Sequence, residues 1–119
     1  MIALQLALML ASFGQRFVSG SEEEARLLTP KQQTVLVSPY CSETFARVKL
    51  RATIGPDGRV TSVKEVEQSS AHVGQDASKL GRLLQQAKRF VLGWRYHPML
   101  VGGKPVSVKT FVYVRCSSQ

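Results

Sequence analysis

The chain has 119 residues, enough for one domain with its own core but not for two. With 44% apolar and 20% charged residues it is neither a disordered nor a fibrous chain. Sixteen Lys and Arg against eight Asp and Glu leave a net charge of +8. That balance favours acidic partners (nucleic acid, anionic lipid or sugar, an acidic protein surface) without choosing among them.

Ile2 to Phe13 read IALQLALMLASF, an apolar run interrupted only by Gln5 and Ser12. It is shorter than the roughly 20 residues a membrane-spanning helix needs. Its length fits the apolar core of a secretory signal, and small residues suited to cleavage follow at Ser12 and Gly14 or at Val18 and Gly20. No Lys or Arg precedes the run, as one normally does in such a signal. Residues 1–20 are read as a signal peptide or short membrane anchor, with a buried amphipathic helix as the alternative. Residues 21–44 form a polar segment that holds Glu22, Glu23 and Glu24, with a short helix around Glu22–Leu28 and a loop at Ser38-Pro39-Tyr40. Pro39 marks the loop because proline removes a ladder donor.

Cys41 and Cys116 bracket the rest. Two cysteines make no metal site by themselves, and no CxxC pair is present. They are either one disulfide, which needs an oxidising compartment, or two thiols.

The body spans residues 45–116. From Phe45 to Ile54 the sequence alternates: Ala46, Val48, Leu50, Ala52 and Ile54 on one side, Arg47, Lys49, Arg51 and Thr53 on the other. This is a half-buried strand with a wet, basic outer face. Gly55-Pro56-Asp57-Gly58 is a turn, with Pro56 presetting φ and Gly58 free to take the left-handed conformation. A second strand follows over Val60–Glu67. Val60, Val63 and Val66 break parity there, which implies a bulge or a partly buried second face. After the polar loop Gln68–Gln75, Asp76 can cap a helix. Leu80, Leu83, Leu84, Ala87, Val91 and Trp94 then fall at spacings of three and four, a helical stripe within Ala77–Trp94. Gly93 and Pro98 mark its exit, Gly102-Gly103 a turn, and Pro105–Cys116 a third strand. In that strand Val106, Val108, Thr110, Val112 and Val114 share one face; Ser107, Lys109, Phe111, Tyr113 and Arg115 share the other.

No catalytic or metal-binding constellation emerges. His97 adjoins Pro98 at the helix exit and His72 sits in a polar loop, neither with a nucleophile or co-ligand at a useful spacing. The serines lack a nucleophile-elbow context, and there is no Walker loop or GxGxxG. The expectation is a protein that is not an enzyme and uses no metal or cofactor.

Two blocks carry a family resemblance. VKLRATIGPDGRVTSVKEVEQSS, residues 48–70, has a strand, the turn Asp57-Gly58-Arg59-Val60, a second strand and Ser69-Ser70. WRYHPMLVGGKPVSVKTFVYV, residues 94–114, has Trp94, Tyr96, Pro98, Gly103, Lys104, Pro105 and Val106 in order before a last strand. In this order, with a helix between, they resemble the C-terminal domain of TonB energy transducers. The resemblance implies an α+β fold: a two-layer β-β-α-β unit with a three-stranded antiparallel or mixed sheet on one helix. Gly58, Trp94, Pro98 and Gly103 are its architectural residues. It also implies a periplasmic location and no enzymatic role.

In that fold the first strand lies between the other two. The chain entering it sits beside the chain leaving the third strand, so the resemblance implies a Cys41–Cys116 disulfide. The third strand is then a sheet edge, and the family's way of binding a receptor's short TonB-box segment is to add a strand there. The matching surface is the backbone from Ser107 to Tyr113, with Lys109, Phe111 and Tyr113 as flanking side chains. The alternative is an edge guarded by Lys109 and Arg115 or covered by the N-terminal segment. Residues 15–44 hold only Pro30 and Pro39, not the Pro-rich spacer of TonB proteins, so partner binding is expected more than energy coupling. The expected partner is an outer-membrane receptor or other envelope protein, with self-association and membrane contact through residues 1–20 as further expectations. The runner-up is a structural envelope module whose basic face meets anionic cell-wall or lipid groups. Nucleic acid, which Arg47, Lys49, Arg51, Phe111 and Tyr113 would serve as a stacking sheet, ranks last.

Overall fold

The computed structural model describes residues 16–41, 47–66 and 77–118. The run Ile2–Phe13, Phe45, Ala46, the Ser69-Ser70 pair, His72 and the cap expected at Asp76 lie outside the described residues. In chain order the elements are β1 (Arg16–Phe17), α1 (Gly20–Arg26), a 3-10 turn (Lys31–Thr34), β2 (Val35–Val37), β3 (Arg47–Ile54), β4 (Val60–Glu65), α2 (Ala77–Leu92), β5 (Met99–Val101), β6 (Lys104–Val106) and β7 (Val108–Ser117).

Alternation in the sequence becomes the two faces of a mixed sheet. β3 is central, antiparallel to β4 on one side and to β7 on the other. Its Val48, Leu50 and Ala52 join Thr110, Val112 and Val114 of β7 on the fully buried face. Across them lies α2, whose Leu83, Ala87 and Val91 are fully buried and whose Leu80 and Leu84 pack at the margin. The broken parity of β4 has the expected cause. The register passes from Thr53↔Ser62 to Ile54↔Val60, so Thr61 is the extra residue of a bulge.

The fold is α+β, and the sheet is wider than three strands. β1 and β2 both join it, each parallel to β7 on the side away from β3. Neither is legible as a strand, since two and three residues are too few to show a period. The last strand also divides. Lys104–Val106 turns back on Met99–Val101 as a separate hairpin through Gly102-Gly103, both at positive φ.

The N-terminal segment is stitched to this body. Ser19 caps α1 by accepting from Glu22 N–H, and Val18 is buried in the core. Leu28 N–H donates to Arg95 O (2.7 Å), His97 N–H to Arg26 O (2.8 Å), and Arg26 Nη1 to Pro98 O (3.2 Å). Beyond β2, Ser38 is buried. Its N–H donates to Ser117 O (2.9 Å), and its hydroxyl bonds Gln86 of α2. Trp94, just past the end of α2, is buried, and its ring meets that of Phe90 edge to face with centroids 6.0 Å apart.

A strand edge and a basic face

β7 carries the residues singled out for binding. Its even-numbered backbone groups face β3, so its odd-numbered ones face outward. Arg16 N–H donates to Ser107 O (3.3 Å) and Val18 N–H to Lys109 O (3.0 Å). At the other end β2 pairs with Arg115, Cys116 and Ser117. Of the expected partner-binding residues, Ser107 and Lys109 are therefore engaged by the chain's own N-terminal segment. Among the described residues no strand pairs with this side of β7 from Thr110 to Val114. The outward backbone groups of that stretch belong to Phe111 and Tyr113, with Phe111 O accepting from Thr110 Oγ1 (3.2 Å). Five residues of strand offer about 17 Å of edge.

The side chains of Phe111 and Tyr113 lie on the sheet face turned away from α2. Residues directly opposite in register share a face. Arg47 stands opposite Arg115, Lys49 opposite Tyr113, and Arg51 between Phe111 and Lys64. Lys49 Nζ lies 4.4 Å from the centroid of the Phe111 ring and the Arg51 guanidinium 5.5 Å from it; the Arg47 guanidinium lies 5.6 Å from the Tyr113 centroid. Phe17, opposite Lys109, meets the edge of the Phe111 ring at 5.6 Å. Arg47 and Arg51 are exposed and Lys49 is half-buried, and a cation–ring contact is worth about 0.5–1 kcal/mol at exposed sites. At the register positions of this face no Asp or Glu stands among the described residues.

The cysteines meet where the fold brings the chain ends together. Cys41 follows β2, Cys116 lies on β7 opposite Leu36, and their Cα atoms are 5.6 Å apart, a separation that a disulfide spans. On the α2 side, Tyr40, Arg82, Gln85, Gln86 and Arg89 line an open cavity of about 300 Å³, where Arg82 Nη1 donates to Tyr40 Oη (3.1 Å). The architectural residues stand at the opposite end. Gly58, at φ +85°, accepts at its carbonyl from Tyr96 N–H (2.9 Å). Tyr96 in turn donates its hydroxyl to the buried carboxylate of Glu23, a contact no sequence pattern announced because an acid in a polar stretch reads as solvated. Burial holds the Glu23 carboxyl above the usual carboxylate range; the Tyr96 hydrogen bond pulls it down and Glu24 adds to the rise. Among the described residues no group of His, Cys, Asp and Glu could hold a metal, and no helix is long and apolar enough to cross a membrane.

Comparison with curated proteins gives no match. The sequence profile of the Gram-negative bacterial TonB protein C-terminal family matches residues 42–115, well over half of the chain, and takes in β3, β4, α2, the β5–β6 hairpin and β7 as far as Arg115. The chain belongs to the TonB C-terminal family, a family of periplasmic, non-enzymatic domains of envelope transport.

Proposed function

We propose that the domain binds a short extended segment of an outer-membrane receptor or other envelope protein by strand addition on β7, between β1 and β2. The observation that carries this reading is the stretch Thr110–Val114, whose outward backbone groups at Phe111 and Tyr113 face no other strand among the described residues. Unpaired edge groups recruit a strand, and main-chain hydrogen bonds then supply affinity while flanking side chains supply selectivity. Here the flanks are the Phe111 and Tyr113 rings with Lys49, Arg51 and Arg47 over them, which favours a segment bearing acidic side chains. Family membership supports the same class of partner.

The test is a titration of ¹⁵N-labelled domain with a TonB-box peptide and with the same peptide N-methylated at alternate residues. Amide shifts centred on Phe111 and Tyr113, lost with the methylated peptide, are expected. Shifts confined to α2 and the Tyr40–Arg82 cavity would sink the reading. A concentration-dependent dimer that shifts the same amides without peptide would make the partner a second copy of the chain.

A further inference from the structure

The outer sheet face has more cationic surface than a strand-long peptide covers. Arg47, Lys49 and Arg51 of β3, Lys64 of β4, and Lys109 and Arg115 of β7 lie on it together. Its border along β1 and β2 carries Phe17, 54% exposed, and Val37, 63% exposed; Tyr113, between their register positions on β7, is 50% exposed. Phe17 and Val37 stand opposite Lys109 and Ser117, which places them on this same face. The apolar sequence Ile2–Phe13 leads directly into Arg16 at that border.

We propose that this face docks flat on an anionic phospholipid bilayer, with its Lys and Arg side chains on headgroup phosphates and Phe17, Val37 and Tyr113 at headgroup depth. This proposal is independent of strand addition at the edge. Three observations favour a lipid surface. The face is a sheet plane bordered by apolar side chains, which suits a planar interface. Amphipathic aromatics beside basic side chains are the composition that settles at headgroup level. An apolar segment in sequence continuity supplies the second of the two signals that stable membrane attachment takes, the first being the basic face. A single-stranded nucleic acid needs open ring faces for base stacking, and here cations already lie over Phe111 and Tyr113.

The experiment is co-sedimentation of the full chain with phosphatidylcholine vesicles, with and without phosphatidylglycerol. Near an anionic surface each basic residue contributes about fivefold in affinity. The full chain is expected to prefer the anionic vesicles by more than about tenfold at low salt, and the preference falls as salt screens the surface. Arg47→Glu with Arg51→Glu abolishes it. Lys79→Glu with Arg89→Glu, the same charge change on α2, alters it less than about twofold. Phe17→Ser with Val37→Ser weakens binding to anionic vesicles without changing charge. Circular dichroism checks that each variant is folded, and Lys49→Gln offers a milder probe of the face. Equal losses from the two charge-reversed pairs would reduce the effect to net charge and overturn the proposal. So would indifference to phosphatidylglycerol, or displacement from vesicles by a trace of single-stranded oligonucleotide. TonB-box binding that survives Lys64→Glu, on the same face but away from the β7 edge, while the preference for anionic vesicles falls separates this proposal from the edge reading.

Discussion

Gly58 shows how much one position can depend on its surroundings. A Cβ there meets Tyr96 O at 2.0 Å, at a φ of +85° that side chains rarely adopt. Gly103 has a similar φ of +79° and nothing nearby. Both read as turn glycines, and only one is also a close backbone contact. Gly58→Ala is expected to cost about 2–4 kcal/mol, since the hairpin must part from Tyr96, and Gly103→Ala about 1 kcal/mol. Urea unfolding of both variants checks this; equal losses would mean the Tyr96 contact contributes nothing. Glu23 offers a test with the opposite sign. Its pKa is raised on folding, so its contribution is fully present below the unfolded pKa and is lost as pH rises through the folded one. Glu23→Gln keeps an acceptor for the Tyr96 hydroxyl and carries no charge. The variant should gain on the wild type in thermal stability as pH rises above the unfolded carboxylate range of about 4, and a difference that stays constant with pH would refute the assignment.

At the scale of elements, β3, β4 and α2 form where their periodicity says, because each has enough residues to repeat a pattern against the core. β1 and β2 form for another reason. A sheet edge at β7 has hydrogen-bonding groups to satisfy, and any short extended neighbour can supply them. β1 is held to β7 chiefly by backbone bonds, such as that from Arg16 N–H to Ser107 O, and by the contact of Phe17 with Phe111. It occupies the edge next to the stretch proposed for peptide binding. Arg16→Pro deletes that donor, frees Ser107 O for a partner while Val18 N–H stays on Lys109 O, and should tighten peptide binding severalfold in a calorimetric titration. Weaker binding would instead make β1 part of the site. Removal of residues 1–20 as a signal would release the same edge and take Val18 from the core, and sequencing the mature N-terminus decides whether it occurs.

Across the whole molecule the cysteines, at a sequence separation of 75 residues, come together where the chain after β2 meets β7, and a bond between them would tie the two. In the loop-entropy account a closure of this length is worth up to about 4 kcal/mol. Protein taken from the periplasm and denatured without reductant should show no free thiol, and Cys41→Ser with Cys116→Ser should lower the melting temperature. Two reactive thiols would remove both the bond and the oxidising compartment it needs.

Much of the fold was legible in residues alone. Alternation over Arg47–Ile54 and over Val106–Val114, the helical stripe ending at Trp94, and the turn glycines are local patterns imposed by one buried face. The positions of Phe111 and Tyr113 beside Arg47, Lys49 and Arg51 follow from the same parity. The sequence by itself thus determined the hairpin, the helix, the last strand and the family. What covers the outer side of β7, and that Glu23 is buried under Tyr96, only the tertiary structure decided. Those contacts join residues far apart in the chain: along β7 they run between backbone groups, which leave no trace in side-chain pattern, and Glu23–Tyr96 is a single side-chain pair that no periodicity marks. The edge that sequence alone leaves either open to a partner or covered by the N-terminal segment is, in the folded chain, shared between that segment and a stretch centred on two aromatic residues.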